Sequence, residues 1–161
     1  MISRKIVDEI ILVPAGEPLL RESAPKASGA LRLEMCRLAI SDLPSEIKSH
    51  VSVSNSEITR TGPSYAIDTF EELAESKNDY YWIIGSDAYE KIDNWHRAKE
   101  LKEKVSFIVI ERPSESGDSD LGIDIGALDI SATQVRQDSE VHGVSPSVRR
   151  FIQERKLYAS K

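Results

Sequence analysis

The stretch YYWIIGSD, Tyr80 to Asp87, decides the fold. Five apolar or aromatic residues in a row, with no polar alternation, mark a strand buried on both faces, as in a parallel sheet. Working outward, EIILV (Glu9 to Val13) and VSFIVI (Val105 to Ile110) repeat that character, and VSV (Val51 to Val53) is a shorter run of the same kind. Between these runs the apolar spacing changes from two to between three and four. Leu31 to Leu43 predicts a helix with Leu31, Met35, Leu38 and Ala39 on one stripe. Ser64 to Ser76 predicts another, opened by Ser64 after Pro63 and carrying Ile67, Phe70, Leu73 and Ala74. Asp87 to Asn94, His96 to Lys104 and Pro146 to Lys156 read as three shorter helices. Strands alternating with helices in this way build βαβ units and an α/β sheet.

The chain has 161 residues, enough for one domain that buries about two-thirds of its unfolded surface. Residues 1–161 show no internal repeat and no boundary, so a single domain is expected. The lone cysteine, Cys36, sits in an apolar-periodic segment and reads as a small hydrophobe in a reduced, cytoplasmic protein. The apolar run near the N-terminus stops at Pro14, far too short to span a bilayer. A formal charge of −6 argues against a nucleic-acid binder. That charge is uneven: from Ser131 onward six Lys/Arg face three acids, a local +3 on a remainder of −9. A basic end on an acidic protein suits a small anionic ligand, and equally a solvated charged face.

In an open α/β sheet, the loops after the carboxyl ends of the strands build the ligand site. They hold Pro14 to Arg21, Gly85 to Asp87, Glu111 to Pro113 and Ser131 to Arg136. Gly85 stands where backbone must approach something closely. Asp87 either caps the following helix or accepts hydrogen bonds from a ribose. Trp95 is either core or a flat platform for a heteroaromatic ring. Gly62-Pro63 precede a helix start whose amides suit a carboxylate or phosphate, with Ser64 capping that helix. In DISATQVRQ (Asp129 to Gln137), Ile130 ends a strand, Ser131 and Thr133 supply hydroxyls and amides, and Arg136 projects toward the same end one turn on. Capping explains Ser131 but not the arginine, whereas a phosphate cradle explains both.

The order VPAGEP, RLEMCRLAI, EITRTGPSYAIDTFEEL, YYWIIGSDA, NWHR, VSFIVIERP, DISATQVR and VRRFIQERKLY resembles bacterial nicotinate-nucleotide adenylyltransferase over essentially the whole chain. ISATxxR is shared with the wider nucleotidyltransferase superfamily, while PSYxxDT and the Trp95-His96 pair point to the nicotinate branch. The resemblance implies a Rossmann-like, doubly wound parallel sheet and an enzyme of NAD biosynthesis. The 5′-phosphate of nicotinate mononucleotide would attack the α-phosphorus of ATP, with Mg2+ carried on the ATP, giving deamido-NAD and pyrophosphate. It implies ATP contacts at Gly85 and Asp87 (ribose) and at Ile130, Ser131, Thr133 and Arg136 (phosphates). It implies mononucleotide contacts at Ser64, Tyr65 and Ala66, at Trp95 by stacking on the pyridine, at the His96 amide, and at Arg21 and Arg112 toward phosphate. Partners would be these two substrates and, as candidate assembly, a homodimer, with no nucleic acid or membrane.

The family also opens with a strand running into G-x-F-D-P-x-H-x-G-H, whose two histidines stabilise charge on the transferring phosphate. The three histidines here, His50, His96 and His142, do not form H-x-G-H, and Met1 to Val7 matches the end of the helix that follows that motif. The expectation is an N-terminally truncated chain short of about one strand-loop-helix unit. It would have no catalytic residue and no metal ligand of its own, and be inactive or nearly so. The strands at Glu9 to Val13 and Tyr80 to Ile84 would lack the partner between them. Pro18-Leu19-Leu20-Arg21 replaces the family's frequent Pro-Pro-His-Lys, and Ala66 replaces a common Thr. Alternatives are a non-catalytic nucleotide-binding remnant, favoured by the missing histidines, and a sister adenylyltransferase for an acceptor such as phosphopantetheine, which would lack PSYxxDT and Trp95-His96.

Overall fold

The computed structural model describes residues 1–16, 25–110, 122–123, 128, 130–137 and 143–158. Its described strands all pair in parallel, in two separate ladders, and the chain divides into two compact units, 1–64 with 130–161, and 65–129.

In the first unit β1 (Ile10–Leu12) lies beside β2 (Val51–Val53), Ile10 opposite Val51 and Leu12 opposite Val53. The chain between them forms α1 (Gly29–Ser41) and the single turn α2 (Ser45–Lys48). Ser28 starts α1 by accepting a hydrogen bond from the Leu31 amide at 3.3 Å, the usual way a short hydroxyl satisfies a first-turn donor. The stripe Leu31, Met35, Leu38 and Ala39 is only half-buried, and the buried residue of α1 is Leu33. After β2 comes α3 (Ser56–Thr59), and late in the chain α7 (Ala132–Gln137) and α8 (Pro146–Glu154). Pro146 opens α8, where its missing N–H costs nothing. Ser145 offers no side-chain cap. The carboxylate of Asp42 takes that part instead, accepting from the Ser147 amide at 2.8 Å and the Ser147 hydroxyl at 2.6 Å.

The second unit holds α4 (Ala66–Leu73), β3 (Tyr81–Gly85), α5 (Ser86–Tyr89), α6 (Ala98–Lys104), β4 (Ser106–Ile110) and β5 (Gly122–Ile123). The order is β3-β4-β5, with Tyr81 opposite Ser106 and Gly85 opposite Ile110. Ile67, Leu101 and Val105 form one buried cluster, packed by Phe70, Tyr80, Trp82 and Phe107. Ile84, Ile92 and Val109 form a second. The helix expected over Asp87 to Asn94 is broken into α5 and a 3₁₀ turn at Ile92–Asn94.

Two expectations about the strands have different outcomes. β1 pairs with β2 and β3 with β4, and neither ladder joins the other, so among the described strands β1 and β3 each keep an edge with no strand beside it. Burial on both faces holds in β4, where adjacent Ile108 and Val109 are both buried, and fails in β1 and β3, where Ile11, Tyr81 and Ile83 stay exposed. Successive strand residues point to opposite faces. Trp82 and Ile84 enter the clusters, so Tyr81 and Ile83, alternating with them, do not.

Candidate functional site

The start of the loop after β1, at Ala15 and Gly16, is held from Ser64 and Arg32. The Gly16 amide donates to the Ser64 hydroxyl at 2.9 Å. A side chain at Gly16 would overlap the Glu57 carbonyl oxygen, so only glycine lets the backbone come this near. Arg32 of α1 donates from Nη1 to the Ala15 carbonyl, from Nη2 to Gly16 O at 3.3 Å and from Nε to Ala27 O at 3.3 Å. Arg32 is absent from the residues singled out by sequence. Its signal is the first cation of a helix that follows a Gly/Pro-rich loop. The N-cap of α4 is Tyr65, one residue after the expected Ser64, with no side-chain cap bond, and the Ser64 hydroxyl accepts from the β1 loop.

Ile130, Ser131, Thr133 and Arg136 come together around the start of α7. Ser131 sits in the capping position, its carbonyl accepting from the Val135 amide at 3.1 Å. Its hydroxyl accepts from the Gln134 amide at 3.2 Å, and its own amide donates to Gln134 Oε1 at 2.5 Å. This reciprocal pair is a capping box, legible in the sequence as S-x-x-Q. Arg136 does turn back toward the helix start, and its Nη2 donates to Thr133 Oγ1 at 2.8 Å. The hydroxyls and the cation are therefore gathered as expected, but with partners inside the segment, Ser131 with Gln134 and Thr133 with Arg136. A cavity of about 300 Å³ opens between α7 and the end of α8, with Arg136 and Lys156 on its wall among Val135, Ile152 and Leu157.

The second unit gathers Tyr65, Ala66, Trp95 and His96. The Tyr65 and His96 rings stack with centroids 4.2 Å apart and planes 27° from parallel. Trp95 packs against both buried clusters and meets Trp82 edge to face at 6.5 Å; it is core on one side and half-exposed overall. Gly85, not Asp87, is the N-cap of α5. A Cβ on Gly85 would stand 2.8 Å from Asp87 Oδ1, so glycine here leaves room for that carboxylate, which lies exposed in the first turn. Arg97, next in chain, is the arginine of NWHR, to which the motif alone assigns no role. It donates to Glu71 and Glu100 in paired bonds and lies 3.6 Å from Asp68. Those bonds hold Glu71 and Glu100 below the usual carboxylate range.

Arg21 and Arg112 lie outside the described residues. Burial pushes the Cys36 thiol up, opposed by the nearby charge of Arg32, which disfavours the reactive thiolate. Among the described residues no three His, Cys, Asp or Glu side chains gather as a metal cage, and no helix is long and apolar enough to cross a membrane.

Residues 2–138 match the Cytidylyltransferase-like family. The chain is 33% identical over 173 residues to the "Probable nicotinate-nucleotide adenylyltransferase" of Synechococcus sp. (strain JA-3-3Ab), across 94% of this chain and 81% of that protein. It is 31% identical over 164 residues to the protein of the same name from Bacillus pumilus (strain SAFR-032), across 96% of this chain and 84% of that one. Among solved structures, the Plasmodium falciparum nicotinic acid mononucleotide adenylyltransferase complexed with NaAD superposes with a TM-score of 0.71 at 20% identity, covering 94% of this chain and 83% of that one. At that identity the likeness establishes the fold, a parallel α/β fold of nucleotidyltransferase type, as expected from the alternating strands and helices.

Proposed function

The chain belongs to the Cytidylyltransferase-like family and, within it, to the nicotinate-nucleotide adenylyltransferases, and from that premise we propose that it transfers the adenylyl group of ATP to nicotinate mononucleotide. A 5′-phosphate oxygen of the mononucleotide bonds to the α-phosphorus, the bond from that phosphorus to the bridging oxygen breaks, and pyrophosphate leaves with the electron pair. Such a transfer asks the protein chiefly for positioning and for cations or N–H donors where charge gathers.

The observation that carries the reading is the Tyr65–His96 stack beside Ala66 and Trp95. Flat rings and first-turn amides at one corner are the chemistry that takes a pyridine bearing a carboxylate. We assign the pyridine to Trp95, its carboxylate to the amides of Ala66 and His96, and the surrounding contacts to Ser64 and Tyr65. The adenosine ribose goes to Gly85 and Asp87. The ATP phosphates go to Ile130, Ser131, Thr133 and Arg136, with Arg21 and Arg112 toward phosphate. Mg2+ belongs to the substrate, carried on the triphosphate, where it neutralises charge. The cytoplasm as compartment and a homodimer as assembly complete the proposal.

Calorimetric titration with nicotinate mononucleotide, nicotinamide mononucleotide and ATP, beside an assay of pyrophosphate release, tests it. Saturable binding of ATP and of the nicotinate form is expected, with little or no pyrophosphate release from a chain whose histidines do not form H-x-G-H. Binding of ATP without the nicotinate form points to another acceptor. Binding of neither substrate sinks the proposal.

A further inference from the structure

Arg97 follows His96 directly and takes the left-handed conformation, φ 51° and ψ 37°, as the residue that starts α6. For a side chain with a Cβ this backbone is unfavourable, so something must hold it. Its carbonyl accepts from the Leu101 amide at 3.0 Å, and its guanidinium makes two forks at once. Nη1 and Nη2 reach the two oxygens of Glu71 at 3.0 and 2.8 Å, while Nε and Nη2 reach those of Glu100 at 2.8 and 2.6 Å. Asp68 adds a third carboxylate at 3.6 Å. Asp68 and Glu71 lie on α4, whose N-cap is Tyr65, and Glu100 lies on α6. The fork onto Glu71 thus ties the start of α6 to α4, while the fork onto Glu100 holds the guanidinium on α6 itself.

Stability does not account for this arrangement. The guanidinium is 35% exposed, and exposed ion pairs contribute little, while the left-handed backbone opposes them. Geometry does account for it. At the starts of the two tied helices lie the stacked rings of Tyr65 and His96 and the amides of Ala66 and His96, and Trp95 is held by turns on either side, its amide on Ile92 O and its carbonyl on the Ala98 amide.

We propose that Arg97 is a positioning residue: its double fork onto Glu71 and Glu100 sets the spacing of the Tyr65–Ala66 and Trp95–His96 pairs so that this corner receives the ring and carboxylate of the mononucleotide. The inference rests on the nicotinate reading above. A planar fork is essential to it, because a lysine can supply the charge at one point only.

Three variants separate positioning from folding. Arg97→Gly removes the clamp while making the left-handed backbone easy, so its thermal midpoint should stay near that of the unaltered chain. Its Kd for nicotinate mononucleotide should rise by roughly tenfold, as a slightly misplaced contact costs, with ATP binding unchanged and the preference over nicotinamide mononucleotide narrowed. Arg97→Lys should recover only part of that loss. Glu71→Gln leaves the backbone of the Trp95–Arg97 turn alone and should move in the same direction if Arg97→Gly does not fold. Unchanged Kd in Arg97→Gly or in Glu71→Gln, or equal weakening of both substrates with a lowered midpoint, would overturn the proposal and leave the substrate reading intact. An unaltered chain that binds ATP but not nicotinate mononucleotide overturns both.

Discussion

The corner assigned to the pyridine and the corner assigned to the ATP phosphates are built in opposite ways. The first rests on two buried clusters and a guanidinium clamp, with Trp95 wedged against both clusters. The second is the start of a six-residue helix, α7, where the Ser131 hydroxyl is engaged with the Gln134 amide and the Thr133 hydroxyl with Arg136. A corner held by packing arrives already shaped, which lowers the ordering cost of binding. A corner held by its own hydrogen bonds must exchange them for those of the ligand. On the proposed assignment, specificity for the acceptor would be built into rigid structure, while the grip on triphosphate would be a matter of partner exchange.

The contrast can be broken at several places. Leu101→Ala, at a fully buried position, should cost about 2–5 kcal/mol in urea unfolding and abolish nicotinate mononucleotide binding at temperatures where ATP still binds. Because Gly85 and Asp87 share that unit with Leu101, inorganic triphosphate is the cleaner probe of the other corner, and its loss together with the mononucleotide would show that the two corners are not independent. Arg136→Ala should weaken ATP binding by about ten- to a hundredfold, the scale of a charge-assisted hydrogen bond, and leave the mononucleotide alone. Trp95→Ala should do the converse by about tenfold, as one lost stacking partner does. Equal effects on both ligands in either variant would remove the division of roles.

Smaller effects sharpen the picture. Gln134→Ala opens the capping box and should cost about 1 kcal/mol in folding. It should leave ATP affinity equal or slightly higher, since the Ser131 amide no longer has a competing acceptor. A fall in ATP affinity would make Gln134 a ligand contact in its own right. The smallest effect is one of pH. The hydroxyl and then the amide of Ser147 hold Asp42 below its ordinary value of 3.8. A carboxyl depressed in the folded state stabilises it above that ordinary value, and the contribution is lost as pH falls through the lowered one. The thermal midpoint should therefore drop more steeply with acid in the unaltered chain than in Asp42→Asn, while nicotinate mononucleotide binding near neutral pH stays the same.

Sequence patterns reached the parts whose signals are local and long. β3, β4, α4 and α8 stand where apolar spacing put them because a run of five or more residues leaves little choice of period. The single turns α2 and α3 and the two-residue β5 are too short to carry a period. The helix expected from Asp87 broke at Glu90 to Lys91, where the buried Ile92 begins a tighter turn. At the sites, the S-x-x-Q box at Ser131 was legible and outweighed by the arginine that followed it. The Arg97 clamp was not, because one of its forks closes on Glu71, 26 residues upstream, and no spacing rule reaches that far. Ser64 misled for a related reason: a serine before a helix normally caps it, and here the partner was Gly16, 48 residues away.

The bond from Ser147 to Asp42 joins residues 105 apart. When the chain emerges from the ribosome, α1 is finished long before its acceptor carboxylate at Asp42 can meet that donor. Loop-closure entropy rises by only about 0.6 kcal/mol for each doubling of length, so the delay is one of order rather than of equilibrium. Contacts of such separation form late, and the segment that docks last is commonly the first to open again. The Ser147 amide should thus exchange its hydrogen earlier than the amides of β3 and β4, making the α1–α8 junction the seam by which the first unit comes undone.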